Sequence, residues 1–380
     1  MPKAKSKRKE RAGEQANGLP LLLRAIRSEA QGHDGNQGFL SLLQEHRLYA
    51  LAAAHPEFVE ESAAFNASDL GEQLVQIRRR LAIRDALLES GLGTAINALE
   101  KAGVQPLILK GRALGMTLYE KPWHRPHSDI DLLISPADRK AVHNLLPTLG
   151  FELPFGIRGD LTSHQFLYRK ELQAGVTLHL DIHWRLSNRQ HFARAIRYRD
   201  ARLRSITIER QGVQHRLLHP EDLLLHALIH LHAHHDDEDR PYLWFYDIHL
   251  LLKTLTDSEL DRVLDRAIAC EASTVARIGI ESTIKLCGTK LPANIQTKLQ
   301  DMPDDSSADY IEMSRIAEIK ADFSALAGTA EKFTYLRELI FPPPRSMLER
   351  YDYQSRALLP FAYIRRLLEV ARGESGSEEH

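Results

Sequence analysis

His127-Ser128-Asp129-Ile130-Asp131-Leu132-Leu133-Ile134 alternates polar and apolar residues with a period of two. Successive side chains on a strand point to opposite faces, so Asp129 and Asp131 project the same way, roughly 6.5–7 Å apart along the backbone. Ile130, Leu132 and Ile134 take the other face, which suits a core. A second stretch repeats the pattern: Thr177-Leu178-His179-Leu180-Asp181-Ile182-His183-Trp184. Its apolar face carries Val176, Leu178, Leu180 and Ile182, and its polar face Thr177, His179, Asp181 and His183. If the two strands share a sheet, Asp129, Asp131 and Asp181 meet on one polar face. Carboxylates crowded together repel unless cations lie between them, which points to a divalent-metal site. The structural alternative is that Asp129 caps a turn while Asp131 and Asp181 pair with nearby arginines.

Upstream lies Pro106-Leu107-Ile108-Leu109-Lys110-Gly111-Arg112-Ala113-Leu114-Gly115. It reads as a short apolar strand over 105–109, a glycine turn, and a helix over 112–119. Glycine permits a sharp turn and a close backbone approach, and a helix start adds partial positive charge, so the junction suits a phosphate. Strand–glycine–helix junctions are common, so this segment alone decides little.

Strand–Gly–helix, then Asp-x-Asp, then a later strand Asp is an order that resembles the polymerase-β-like nucleotidyltransferase superfamily, and within it a bacterial nucleotidyltransferase group. The resemblance rests on Leu109-Lys110-Gly111, Leu118-Tyr119, Arg125 and Ser128-Asp129-Ile130-Asp131-Leu132-Leu133. It continues through Gly150-Phe151, Leu180-Asp181-Ile182-His183-Trp184, Leu218-His219-Pro220-Glu221-Asp222-Leu223-Leu224 and Asp247-Ile248. It implies transfer of a nucleoside monophosphate from an NTP, ATP among the candidates, by a two-metal, three-aspartate mechanism. Mg²⁺, or Mn²⁺ in its place, would be held by Asp129, Asp131 and Asp181, because Mg²⁺ prefers hard oxygen ligands. The nucleotide would meet Lys110, Gly111, Arg112, Arg125 and Ser128, and His183 would line the acceptor pocket. Two readings of Lys110 and Arg125 stand side by side, phosphate contacts or ion-pair partners of the aspartates. His183 is likewise open, as an acceptor-pocket residue or a hydrogen-bonded structural histidine. One departure is Arg112, where better-known members of the superfamily carry a serine after the glycine. That substitution motivates a second reading, a binding or regulatory protein that keeps the fold without catalysis.

The 380 residues, 43% of them hydrophobic, suffice for two or three domains with formed cores. A net charge of −1 excludes both a globally basic nucleic-acid binder and an acidic solvating chain. Cys270 and Cys287 are the two cysteines and lack metal-type spacing. No apolar run approaches the roughly 18–20 residues needed to span a bilayer, and the basic Met1–Arg11 stretch lacks the apolar region of a secretory signal. A reducing cytoplasm is expected. The acceptor is unreadable: small molecules, peptides, proteins and RNA ends all fit.

The fold expected is α+β, a small mixed-sheet core covered by helices on one face and flanked by helical regions. The divisions are a disordered basic tail at 1–18, a helical region at 19–103, the α/β core at 104–216, a helical domain at 217–372 and a disordered tail at 373–380. Helix-spaced apolar residues fill 19–101, with Ser68-Asp69 as a start signal, and the run Arg78-Arg79-Arg80 reads as a solvated face. Ser135-Pro136 opens a helix over 136–148. Strands follow near 165–171, 176–184 and 205–210, then helices near 220–231, 242–254, 257–268, 272–287, 305–340 and 357–371. Phe341-Pro342-Pro343-Pro344-Arg345 marks a connector. The run from His226 and His230 to His234, His235, Asp236 and Asp237 invites a metallohydrolase reading. No glutamate follows His226 as a metalloprotease helix requires, so a helix ending in a polar loop is the preferred account.

Overall fold

The alternating stretch at 127–134 becomes a four-residue strand, β2 (Ile130–Leu133), at the centre of a six-stranded sheet in the computed structural model of the chain. The structure describes residues 18–30, 35–56, 67–153, 161–232, 240–311 and 313–372. The other strands are β1 (Leu107–Ile108), β3 (Gln165–Glu171), β4 (Thr177–His183), β5 (Ile206–Arg210) and β6 (Val213–Leu217), in the order β3-β4-β2-β1-β6-β5. Central β2 runs parallel to β4 and antiparallel to β1, and β1 runs parallel to β6, so the sheet is mixed. Hairpins add β3 to β4 and β5 to β6 at the two edges. Strand β6 escapes sequence reading because its alternation is Val213, His215, Leu217, with a buried histidine at an inward position. The turn before it is Gln211-Gly212, both at positive φ, which supplies the tight hairpin without the familiar Asn-Gly pair.

Helices α1 (Leu19–Ala30), α2 (Gly35–Glu45), α3 (Tyr49–Ala54) and α4 (Ala67–Lys101) precede the sheet. Because α4 begins at Ala67, Ser68 and Asp69 lie inside its first turn rather than ahead of it. It lies on the apolar face of the sheet. A Cβ on Gly91 would come within 2.9 Å of Leu178 Cδ2, so glycine sets how closely helix and strand approach. Helix α5 (Lys110–Thr117) follows β1 directly. The bend expected at Gly111 falls one residue earlier, at Lys110, whose φ is +42°. The expected 136–148 helix is a short α6 (Arg139–Leu145) with a 3₁₀ turn at each end.

Helix α7 (Tyr198–Arg204) was not anticipated, whereas α8 (Pro220–His230), α9 (Tyr242–Thr254), α10 (Asp257–Ala269) and α11 (Ser273–Cys287) follow the periodic segments closely. Helix α12 (Ala293–Gln300) was not anticipated. The single 305–340 helix is instead a 3₁₀ turn at Ser306–Ile311 followed by α13 (Arg315–Ala325) and α14 (Thr329–Ile340). Ser314 caps α13, and Gly328 separates it from α14, so local capping overrides the longer apolar pattern. The proline run ends α14 and opens α15 (Pro344–Arg350), and α16 (Leu359–Arg372) closes the fold. One buried apolar cluster runs from Leu19 to Tyr310, across 103–104 and 216–217. Leu326, Tyr335 and Leu339 form a separate cluster, as do Met347, Tyr351 and Ala362. Among the described residues no helix is long and apolar enough to cross a membrane. The terminal tails expected at 1–18 and 373–380 lie outside the described residues apart from Gly18.

Candidate active site

Parallel pairing of β2 with β4 sets the register that matters: Asp131 sits opposite Asp181, with Ile130 opposite Leu180 and Leu133 opposite His183. Neighbouring strands lie about 4.8 Å apart, so in-register carboxylates on one face are forced together. Asp131 is 2% exposed, and Asp181 and His183 are buried beside it. One ligand atom from each of the three lies within 4.8 Å of the others.

Two cations answer these carboxylates. Lys110 Nζ donates to Asp131 Oδ1 at 2.6 Å. His183 Nε2 lies 2.9 Å from the same oxygen and 3.1 Å from Asp181 Oδ2. Lys110 reaches Asp131 because β1 and β2 are antiparallel: the end of β1 lies beside the start of β2, and Leu109 N–H donates to the Asp131 carbonyl at 2.9 Å. A lysine with positive φ is uncommon, and such conformations persist where the surroundings impose them, often at functional sites.

Electrostatics follow from this crowding. Burial would raise the Asp131 carboxyl, but Lys110 and His183 outweigh it and hold the acid well below the usual carboxylate range. Burial would equally depress Lys110, yet Asp131, Asp181 and Asp129 keep its ammonium above its ordinary value. His183 is pulled down by burial and pushed up more strongly by Asp181 and the hydrogen bonds, to about 9, so its ring carries charge at neutral pH. Asp129, half-buried just before β2, is raised by burial and then by Asp131, and takes a hydrogen bond from Ser128 Oγ at 3.2 Å.

Asp131 and Asp181 thus share two cations, while Asp129 acts on Lys110 electrostatically and stands outside the group whose ligand atoms converge. Asp181 Oδ1 is buried and has no hydrogen-bond partner. A buried carboxylate oxygen without a donor is costly, and a cation is the natural complement. The donor set therefore fits a divalent metal, with oxygens from Asp131 and Asp181 and, once neutral, a nitrogen from His183.

Other residues expected at the site go elsewhere. Arg112 is 1% exposed, and its guanidinium binds Asp85 and Glu89 on α4, turned away from the aspartates. It completes a buried charge cluster in which His215 Nε2 lies 2.8 Å from Glu89. Arg125 is committed to Asp247 on α9, with Nη2 at 2.8 Å and Nε at 3.2 Å from Oδ2, while Tyr119 donates to the other carboxylate oxygen at 2.7 Å. Of the two readings of Arg125, the structure favours an ion pair, though with Asp247 rather than with the site aspartates. Gly111 is packed against this arginine: an added Cβ would overlap Arg125 Nη1 and lie 3.1 Å from His127 Cβ. The glycine leaves room for a side chain.

His226 hydrogen-bonds through Nε2 to the Leu186 carbonyl at 3.2 Å, and burial, then Lys110, depress it to about 3. It is a neutral neighbour of the acidic site. The rings of His226 and His230 lie 5.8 Å apart, and His230 packs on Trp244. The described residues gather no third ligand around this pair, and His234, His235, Asp236 and Asp237 lie outside them. Sequence reading missed Arg84 on α4, which donates to the His127 carbonyl at 3.0 Å. Its position six residues after Arg78 offered no distinguishing signal.

An aspartate just before a strand, a second within it, a third acid in register on the parallel neighbour and a bent strand–helix junction beside them follow the pattern expected of a nucleotidyltransferase core. The chain belongs to the family described as uncharacterised nucleotidyltransferases, whose model matches residues 34–287. No curated protein matches the chain. Among solved structures it is similar to an antigenic nucleotidyltransferase-like protein from Paracoccidioides brasiliensis, at 15% identity over 59% of this chain and 96% of that one, with a TM-score of 0.39.

Proposed function

We propose that the protein transfers a nucleoside monophosphate from an NTP to an acceptor hydroxyl, with Asp129, Asp131 and Asp181 as the metal-binding acids. The observation that carries this reading is the in-register Asp131–Asp181 pair with an unpartnered buried oxygen, inside the segment that matches the family. Mg²⁺ or Mn²⁺ bound there would supply charge neutralisation on the triphosphate and a more acidic acceptor hydroxyl. Asp181 accepts the acceptor's proton as its oxygen bonds to the α-phosphorus and the bond to pyrophosphate breaks. Lys110, one hydrogen bond away from Asp131, swings to the phosphate oxygens when that carboxylate is taken up elsewhere. His183 orients both aspartates. Cys270 and Cys287 are both free thiols, which suits a reducing cytoplasm, and the acceptor is left open.

Asp131→Asn and Asp181→Asn should each abolish Mn²⁺ binding and NTP turnover while leaving the thermal unfolding transition cooperative. Turnover at the wild-type rate by Asp131→Asn removes the assignment. A second reading has its own support: Lys110 and His183 already neutralise much of the acidic cluster, as in a binding protein that needs no metal. Calorimetry with Mg²⁺ and each of the four NTPs separates the two, since heat of binding with no turnover on any acceptor in a cell extract favours the second.

A further inference from the structure

We propose that the protein is a dimer of two identical chains, paired through the outward apolar stripe of α16 (Leu359–Arg372). The proposal is independent of the nucleotidyl-transfer reading, since α16 lies outside the segment 34–287 that matches the family. Nine of the fourteen large hydrophobic side chains exposed among the described residues fall at 313–372. Apolar residues scattered singly over a surface are ordinary, whereas a contiguous group marks a contact.

Helix α16 is apolar on two sides. Its inner side carries Ala362, Arg366 and Val370, spaced four residues apart. Ala362 packs with Met347 and Tyr351, Val370 packs against the Leu326 cluster, and Arg366 Nε donates to the Leu339 carbonyl at 3.2 Å. Its outer side carries Phe361, Ile364 and Leu368 with Leu367 beside them, 63, 58, 50 and 48% exposed in that order. The spacing i, i+3, i+7 is the seam along which two helices pack. Phe341, 59% exposed, extends the stripe, because its ring lies 5.6 Å from that of Tyr363, one turn before Leu367. A helix apolar around most of its circumference is one covered on both sides.

Area and charge decide which occupant fits. Aromatic side chains present 150–250 Å², so the two phenylalanines leave roughly 100–150 Å² each, and the five side chains together about 550 Å². A standard interface takes about 800 Å² per partner, and in homodimers about 65% of it, or about 520 Å², is apolar. The stripe therefore matches one side of a stable dimer. A helix lying on anionic lipid keeps a free, lysine- and arginine-rich flank. Here Arg365 is committed within the fold: its Nε donates to Glu369 at 3.1 Å and its guanidinium lies over Tyr351 at 4.7 Å. A second copy brings the same apolar stripe. Ile364 stands at its middle, so a two-fold axis there sets this residue against its own mate, with each Phe361 over a Leu368 when the helices run antiparallel.

The test is analytical ultracentrifugation of the full-length, untagged protein. Wild type should sediment at twice 43.2 kDa at micromolar concentration. Ile364→Asp sets two carboxylates against each other and should raise the dimer dissociation constant at least about 100-fold. Leu203→Asp, at an exposed position on α7, should behave as wild type. Ile364→Cys treated with oxidised glutathione should run as a disulfide-linked dimer on a non-reducing gel, while wild type and Leu203→Cys should not. A monomeric wild type across the micromolar range overturns the proposal. So does a dimer unchanged by Ile364→Asp, or one lost equally in Leu203→Asp, since either puts the contact elsewhere. A monomer that co-sediments with phosphatidylserine–phosphatidylcholine vesicles gives the stripe to lipid and also overturns it. If Ile364→Asp loses its cooperative circular-dichroism melt, Leu368→Gln and the cysteine cross-link decide. An undiminished dimer in the first, or no cross-link in the second, counts against the pairing.

Discussion

Replacing Gly111 by alanine separates two accounts of that residue. A glycine kept for a phosphate would tolerate a methyl group in the ligand-free protein, whereas the structure places the new Cβ in overlap with Arg125 Nη1. Arg125 is not free to yield, because it holds Asp247 through two nitrogens and donates to the Pro126 carbonyl at 3.1 Å. The φ of Gly111 is not positive, so alanine meets no backbone penalty and should gain about 1 kcal/mol of helix propensity. Against this stand about 1–3 kcal/mol for overpacking, and about 3–5 kcal/mol if the buried pair must open. The expected outcome is a net loss of up to about 2 kcal/mol if the pair holds and about 2–4 kcal/mol if it opens, read from the shift in urea midpoint at constant slope. In an Arg125→Lys background the overlapping nitrogen is absent, and the same substitution should be neutral or slightly stabilising. The coupling between the two sites should therefore exceed about 1 kcal/mol. An equal cost in both backgrounds would refute the steric account. A neutral Gly111→Ala that loses nucleotide affinity would return the glycine to the ligand.

Stability of the metal-free protein should depend on His183 at alkaline pH. Its folded-state value, about 9, lies above the usual 6.5, so its contribution is fully present below about pH 6.5 and is lost as pH rises towards 9. Wild type should lose stability across that window and His183→Gln should not, as followed by denaturation midpoints at pH 6 and 9.5. Arg112→Met should cost about 3–5 kcal/mol, because Asp85, Glu89 and His215 are left around a vanished cation. Its Mn²⁺ affinity at a temperature where it stays folded should equal that of wild type, and a lost metal site would mean that Arg112 serves the aspartates after all.

Local pattern and tertiary arrangement divide this protein cleanly. Alternation at 127–134 and 177–184 made both strands legible and put Asp131 and Asp181 on one face, because side-chain direction on a strand depends on position parity alone, while Asp129 lies just before β2. Helix-spaced apolar residues did the same for α9, α10 and α11. Charge partners were not legible. Arg112 and Arg125 stand next to a glycine and an Asp-x-Asp segment in sequence, yet they answer Asp85, Glu89 and Asp247, which are 27, 23 and 122 residues away. An arginine side chain is long enough to choose among several acids, and which acid it meets depends on how α4 and α9 pack on the sheet. The parallel register that sets Asp131 against Asp181 is likewise a contact between strands about fifty residues apart. Sequence alone determined which residues can form the acidic face; the packing decided which cations share it and left Asp181 with an oxygen still unanswered.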